Sequence, residues 1–176
     1  MSKAVLFSIK PKYCELIASG KKTIEVRKTK PKLNTPFKCY IYCTKDKGIS
    51  FWTGKRYAYA DDRSHNLFDV CGNGKVIGEF VCDEIKEIRA DNLVALYFNN
   101  PTENTCLNDL EVREYANGKN LFLWHILNLV IYDKPKELSE FEKPHEYIYQ
   151  SYRKQNSFFK GVTRPPQSWG YVEELV

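Results

Sequence analysis

Two stretches of strict two-residue alternation, set among short apolar runs, constrain this chain more than any other feature. Phe37, Cys39, Ile41 and Cys43 alternate with Lys38, Tyr40, Tyr42 and Thr44, and a period of two sends successive side chains to opposite faces of a strand. Thr23 to Arg27 repeats the pattern. Ala4 to Ile9 is an unbroken apolar run stopped by Lys10-Pro11, short enough for a buried strand. Pro11 then suits the first position of a helix, Tyr13, Leu16 and Ile17 recur at helical spacing, and Gly20 is a fitting stop.

The rest of the chain continues without regular alternation of strand and helix. Residues 45–75 show no period and read as a long excursion closing on the turn signal Asn73-Gly74. Val76 to Ile85 is the next expected strand, and Thr105 is expected to open a helix with Leu107, Leu110 and Tyr115 inward and Asn117-Gly118 as its stop. Leu121 to Tyr132, apolar apart from His125 and Asn128, reads as core, either one long strand or two joined by a bend. His125, alone in that run, reads as a hydrogen-bonded core residue outside the chemistry. Residues 133–160 are turn-rich, and Ser168 to Leu175 offers a last strand. Such an order predicts an α+β fold, a small mixed β-barrel with flanking helices, and 176 residues form a single domain over 1–176.

Several classes of function are set aside at this point. An aromatic content of 14% argues against a disordered chain, and no run approaches the ~20 apolar residues of a membrane helix. The start MSKAVLFSIK lacks the long apolar region of a secretory leader, so a cytoplasmic location is expected. The six cysteines read as reduced thiols. Only Cys39 and Cys43 are closely spaced and the histidines are scattered, so neither metal nor other cofactor is expected.

Charge is segregated along the chain. Residues 1–60 carry 14 Lys or Arg against Glu15, Glu25 and Asp46, a net +11, and the remainder carries −6. Concentrated positive charge attracts polyanions, which makes nucleic acid or a phosphorylated small molecule the natural partner; lysines that merely keep the protein soluble are the alternative.

Within this cationic third, Gly20-Lys21-Lys22-Thr23-Ile24-Glu25-Val26-Arg27 is the segment richest in chemistry. Strand alternation sets Glu25 and Arg27 on one face, ~6 to 7 Å apart, with Ile24 and Val26 toward the core. Gly20 frees the turn before the strand, so Lys22 is expected as a mobile cation joining a fixed carboxylate and a fixed guanidinium. Such a trio can bind phosphate or a base edge, and Glu25 can act as general base where its surroundings favour the proton. The same spacing also describes an exposed strand with a weak surface ion pair. Arg27→Ala discriminates: loss of binding is the expected result, whereas unfolding would mark a buried bridge.

The motif fits GxKxxExR and resembles the signature of the ASCH family, the activating signal cointegrator homology domains of the PUA-like superfamily. AVLFSIKPKYCELI, GKVIGEF at 74–80, LWHILNLVIYDKPKEL at 123–138 and RPPQSWGYVEEL at 164–175 resemble the bacterial and phage branch. The resemblance implies a small β-barrel whose helices flank a basic cleft, lined by Lys22, Glu25 and Arg27, with a role in binding RNA, another nucleic acid or a nucleoside. Some relatives are enzymes, among them ribonucleases and amidohydrolases acting on acylated cytidine. The amidohydrolase branch relies on a lysine and a threonine here; Lys22 matches the lysine, and Glu25 stands at the threonine's position.

Other residues join this site as candidates. Lys10 sits at the start of the first helix, where unpaired N–H groups favour an anion, and Lys28 extends the basic floor. Arg164, Gln167, Ser168 and Trp169 combine a cation, an amide, a hydroxyl and a large ring, the groups that stack a base and read its edge. Trp169 equally suits a plug at the barrel end. Tyr147, Tyr149, Tyr152, Arg153, Lys154, Phe158 and Phe159 interleave rings with cations as a single-strand binding surface does, or pack onto the barrel. The expected activity is binding of RNA or single-stranded nucleic acid, or of a nucleoside or nucleotide. The alternative is a metal-independent hydrolase of RNA phosphodiesters or acylated nucleosides, with Lys22 and Glu25 catalytic.

Overall fold

The computed structural model describes residues 2–53, 70–92, 104–144 and 161–175. The first apolar run forms β1 (Lys3–Ile9), and Pro11 opens α1 (Pro11–Ala18). Gly20, at φ +74°, lets the chain turn back toward β2 (Ile24–Arg27). There follow β3 (Phe37–Cys43), the two-residue strands β4 (Trp52–Thr53) and β5 (Val70–Cys71), β6 (Val76–Cys82) and β7 (Ile85–Ile88). Then come α2 (Asp109–Ala116), β8 (Leu121–His125), β9 (Leu127–Lys136) and β10 (Trp169–Glu173).

The strands form two principal sheets. One has the order β10-β1-β3-β6-β9, in which β1 and β3 run parallel and the other neighbours antiparallel. The second has the order β2-β8-β7, and β4 pairs with β5 separately. The fold is thus α+β as expected, but among the described residues no strand ladder closes the two sheets into a barrel. Instead, the chain passes from one sheet to the other at two neighbouring points. β6 gives way to β7 at Asp83-Glu84, β8 to β9 at Ile126, and the His125 amide bonds Glu84 O at 3.0 Å to tie the corner. Strands that switch sheets at a bend make such corners.

This arrangement covers both faces of several strands. Val5, Phe7 and Ile9 of β1 join Phe37, Cys39, Ile41, Cys43 and Trp124 in the main core. Leu6, Tyr40 and Tyr42 pack on the opposite face with Phe141 and Val172. The period-two reading of β3 therefore holds, with Tyr40 and Tyr42 buried as well. α2 lies over the second sheet, where Val112 and Ala116 meet Val26, Leu121 and Leu123.

Further expectations need correction. The helix expected from Thr105 begins at Asp109, because Cys106 takes a left-handed φ of 55° and Asn108 caps the helix in a reciprocal capping box with Glu111. Its inward face is Val112 and Ala116, four residues apart, which leaves Leu110 65% exposed and Tyr115 37% exposed; the stop at Asn117-Gly118 is as expected, both with positive φ. The expected strand 76–85 is broken by the sheet switch. β9 belongs to an edge of its sheet, so Leu127 and Val130 are exposed although β8 is core, and it runs to Lys136 through residues expected as turn. The aromatic-basic stretch from Tyr147 to Phe159 lies outside the described residues, as does most of the 45–75 excursion, whose described ends include β4 and β5. No helix is long and apolar enough to cross a membrane among the described residues.

Candidate functional site

β2 pairs with β8 so that Glu25 stands opposite Trp124 and Arg27 opposite Phe122. Val26 points to the small core beneath α2, and by alternation Glu25 and Arg27 point between the sheets. The two share a face as expected, but this face is nearly closed. Glu25 is 7% exposed and Arg27 8%. Arg27 Nη2 lies 2.9 Å from Glu25 Oε1 and donates to Ser8 O at 2.9 Å, Nη1 donates to the Ser168 hydroxyl at 3.3 Å, and the guanidinium carbon lies 5.1 Å from the centre of the Phe7 ring. The weak surface pair is excluded by this geometry. Nε has no acceptor among the described residues.

Lys22 is fixed rather than mobile. It is 3% exposed, and its ammonium donates to Ile24 O at 2.8 Å and Thr105 O at 2.7 Å while standing 3.3 Å from Glu25 Oε2. An ammonium has three protons, and these three acceptors match them. The Thr105 carbonyl comes from a loop that sequence reasoning did not connect with the motif. Asn104 and Cys106 both have positive φ, and Asn104 O accepts from the Thr23 and Ile24 amides at 3.0 and 3.2 Å. Non-glycine residues in that conformation carry strain that surrounding bonds must hold, and an Asn followed two residues later by a nucleophilic residue gives no local signal for it.

The cluster floors an open cavity of about 500 Å³. Lys10, Lys22, Glu25, Arg27 and Gln167 among the predicted residues line it. Lys28 does not, but its ammonium lies 5.0 Å over the ring of Tyr115, which does. Ser168 meets the cluster through Arg27. Arg164 and Trp169 face a different cavity, and the Trp169 ring also meets Trp124 and Tyr171 edge to face while its indole N–H bonds Thr29. Missed by sequence reasoning were Tyr13, Glu111, Glu114 and Tyr115 as lining groups. Tyr13 and Leu107 have helical or apolar spacing that pointed only to packing. Glu111 and Glu114 come from α2, 84 or more residues beyond the motif in the chain, and give the lining three carboxylates against its three cations.

Burial raises the phenols of Tyr13 and Tyr115 above their ordinary value, with the Glu25 charge adding to both. Both rings stay neutral hydrogen-bonding groups at physiological pH. His125, away from this cavity, bonds Asp83 Oδ1 at 2.7 Å but is 40% exposed in its side chain, so it is hydrogen-bonded without being core. Among the described residues no cluster of His, Cys, Asp and Glu is arranged to hold a metal ion.

The model of the ASCH domain matches residues 7–165. The chain belongs to the ASCH family. Among solved structures it is similar to the crystal structure of ASCH from Zymomonas mobilis, at 18% identity and TM-score 0.56, over 97% of this chain and 88% of that one. A point mutant of the same protein aligns at 18% identity and TM-score 0.57, over 98% of this chain and 92% of that one. These likenesses bear on the ASCH fold. No curated protein matches the sequence.

Proposed function

We propose that this ASCH chain binds single-stranded RNA or a related single-stranded nucleic acid, taking one nucleoside unit into the cavity at the motif. The observation that carries this reading is the position of Lys22, Glu25 and Arg27. Three charged groups, each less than a tenth exposed, form the floor of an open cavity rather than the inside of a closed core. Buried ion pairs add little to stability once desolvation is counted, so a ligand accounts better for charges held in this place. Tyr13 and Tyr115 supply rings on which a base can stack, and Glu111, Glu114 and Gln167 supply acceptors and an amide for its edge. Three cations against three carboxylates suit a neutral base better than a bare polyphosphate. The hydrolase reading draws less support. The Lys22 protons are already matched, and each Glu25 oxygen faces a cation at 2.9 or 3.3 Å, so neither group is placed to exchange a proton with substrate.

The test is fluorescence anisotropy with a labelled single-stranded RNA across a salt series. Affinity is expected to fall linearly with salt on logarithmic axes, at ~0.7 per phosphate neutralised. Affinity that is flat in salt, or no binding at low salt, overturns the reading. A parallel incubation with RNA and with acylated nucleosides in EDTA is expected to give no turnover; turnover abolished by Glu25→Gln in a folded protein would move the assignment to the hydrolase.

A further inference from the structure

A second cavity of about 500 Å³ lies along β10, the edge strand of the larger sheet. Its walls include Leu6, Lys143, Pro144, Arg164, Trp169 and Tyr171. Lys143 and Arg164 are both exposed, and among the described residues no carboxylate lines this groove. It differs in this from the motif cavity, whose lining is electrically balanced. The two cavities are separated by the segment 164–168. Pro166 lines the groove and Gln167 the motif cavity, and consecutive Cα atoms are 3.8 Å apart. This dividing segment is held in place. Ser8 donates through its hydroxyl to Pro166 O at 2.6 Å and through its amide to Ser168 O at 3.0 Å, and Arg27 grips the Ser168 hydroxyl.

We infer that the β10 groove is a second subsite for the same strand of nucleic acid, in which Lys143 and Arg164 hold the phosphodiester next to the nucleoside seated in the motif cavity. This inference rests on the binding function proposed above. A charge-balanced cavity receives an uncharged base, and an adjoining groove with two unopposed cations receives an anion. Trp169 and Tyr171 add aromatic surface beside those cations, the combination that single-strand binders use for backbone and base together. Arg164 also offers a planar fork that fits a phosphate bidentately. The ligand class follows: an oligonucleotide of at least two residues, in preference to a free nucleoside.

The test compares wild type with the Lys143→Ala/Arg164→Ala variant and, as a charge-matched control, Lys86→Ala/Lys119→Ala, both exposed lysines outside the two cavities. The probes are a labelled six-residue single-stranded RNA and the unlabelled ribonucleosides. The groove variant is expected to bind the hexamer at least tenfold more weakly at low salt, with a salt slope shallower by about 0.7 for the one phosphate no longer neutralised. Nucleoside binding and thermal stability are expected to stay as in wild type. If wild type binds the hexamer and the groove variant binds it equally well, the subsite is overturned while the motif cavity stands. An equal loss in the control reduces the effect to net charge and also overturns it, as does tighter binding of an acidic peptide than of the hexamer. Failure of wild type to bind the hexamer removes the proposed function itself.

Discussion

Among the described residues, the motif cavity sets three carboxylates against three cations, whereas the groove across segment 164–168 has two cations and no carboxylate. Their volumes are alike, and the difference lies in how the charge is supported. In the first cavity the motif charges are carried by a strand and the turn before it, are almost dry, and are bonded to one another; in the second they stand on exposed connecting segments. A charge built into packed structure must be neutralised where it sits, and a charge on an exposed loop need not be. This explains why the net +11 of residues 1–60 does not by itself locate a polyanion. Much of it is spent inside the molecule or against the acidic remainder of the chain. Lys22 and Arg27 serve Glu25, Lys38 lies 3.1 Å from Glu79 and 3.7 Å from Glu174, and Lys30 lies 3.8 Å from Glu87. The free pair in the groove comes from the acidic part of the sequence.

The largest test of this contrast is a pair of arginine truncations. Arg27→Ala strands the Glu25 carboxylate beside Lys22 alone and frees segment 164–168, and is expected to cost ~3 to 5 kcal/mol of stability in urea unfolding. Arg164→Ala is expected to stay within ~0.5 kcal/mol of wild type. Equal effects would erase the distinction between supported and free charge. Next in size is Lys22→Met, which leaves two backbone carbonyls and one carboxylate oxygen without their donor. A loss of about 2 to 4 kcal/mol is expected in the same measurement, and a loss below ~1 kcal/mol would mean that water replaces the ammonium.

A chemical probe sharpens the comparison further. Cys106 is exposed and follows Thr105, whose carbonyl holds Lys22, while Cys71 is half-buried on β5. Burial pushes the Cys14 and Cys39 thiols well up and the Cys82 thiol up to about 12, so these three stay unreactive near neutrality. A thiol reagent at pH 8 is expected to modify Cys106 first, and single-stranded RNA to slow that reaction several-fold without changing Cys71. RNA that binds but leaves Cys106 unprotected would place the strand in the groove alone.

The smallest expected effect lies outside both cavities. The hydrogen bond from His125 holds the Asp83 carboxyl below its ordinary value. A group depressed in the folded state stabilises the fold above its unfolded value, near 3.9, and loses that contribution as pH falls through the folded value. The stability difference between wild type and Asp83→Asn is therefore expected to be level above about pH 5 and to shrink below about pH 4. A difference that grows on acidification would contradict the assignment.

Much of the fold was legible because it depends on local pattern. Pro11 and Gly20 mark the limits of α1, and the alternation of β3 sorts its residues between two cores. The shared face of Glu25 and Arg27 was equally legible. What alternation does not reveal is what lies against a face: the same period describes a solvated strand and one enclosed between sheets. The surroundings of Lys22, Glu25 and Arg27 depend on the carbonyl of Thr105, Trp124 and Phe7, up to about 100 positions away. The start of α2 was misread for a related reason. Thr105 has the chemistry of a helix cap, but its hydroxyl accepts from Leu107 N and its carbonyl is committed to Lys22, so Asn108 takes that role.

The antiparallel pairing of β10 with β1 has a consequence for synthesis on the ribosome. Lys3 is registered with Glu173 and Phe7 with Trp169, so β1, once made, waits for β10 before its sheet has that neighbour. The Arg27 clamp needs Ser168 as well. Such a high sequence separation slows closure of the structure. Until β10 is made, a guanidinium and a carboxylate destined for a nearly closed site remain in water, and the wall between the two cavities is translated after β1 to β9. Neither cavity is therefore complete until Pro166 to Trp169 have been added behind β9.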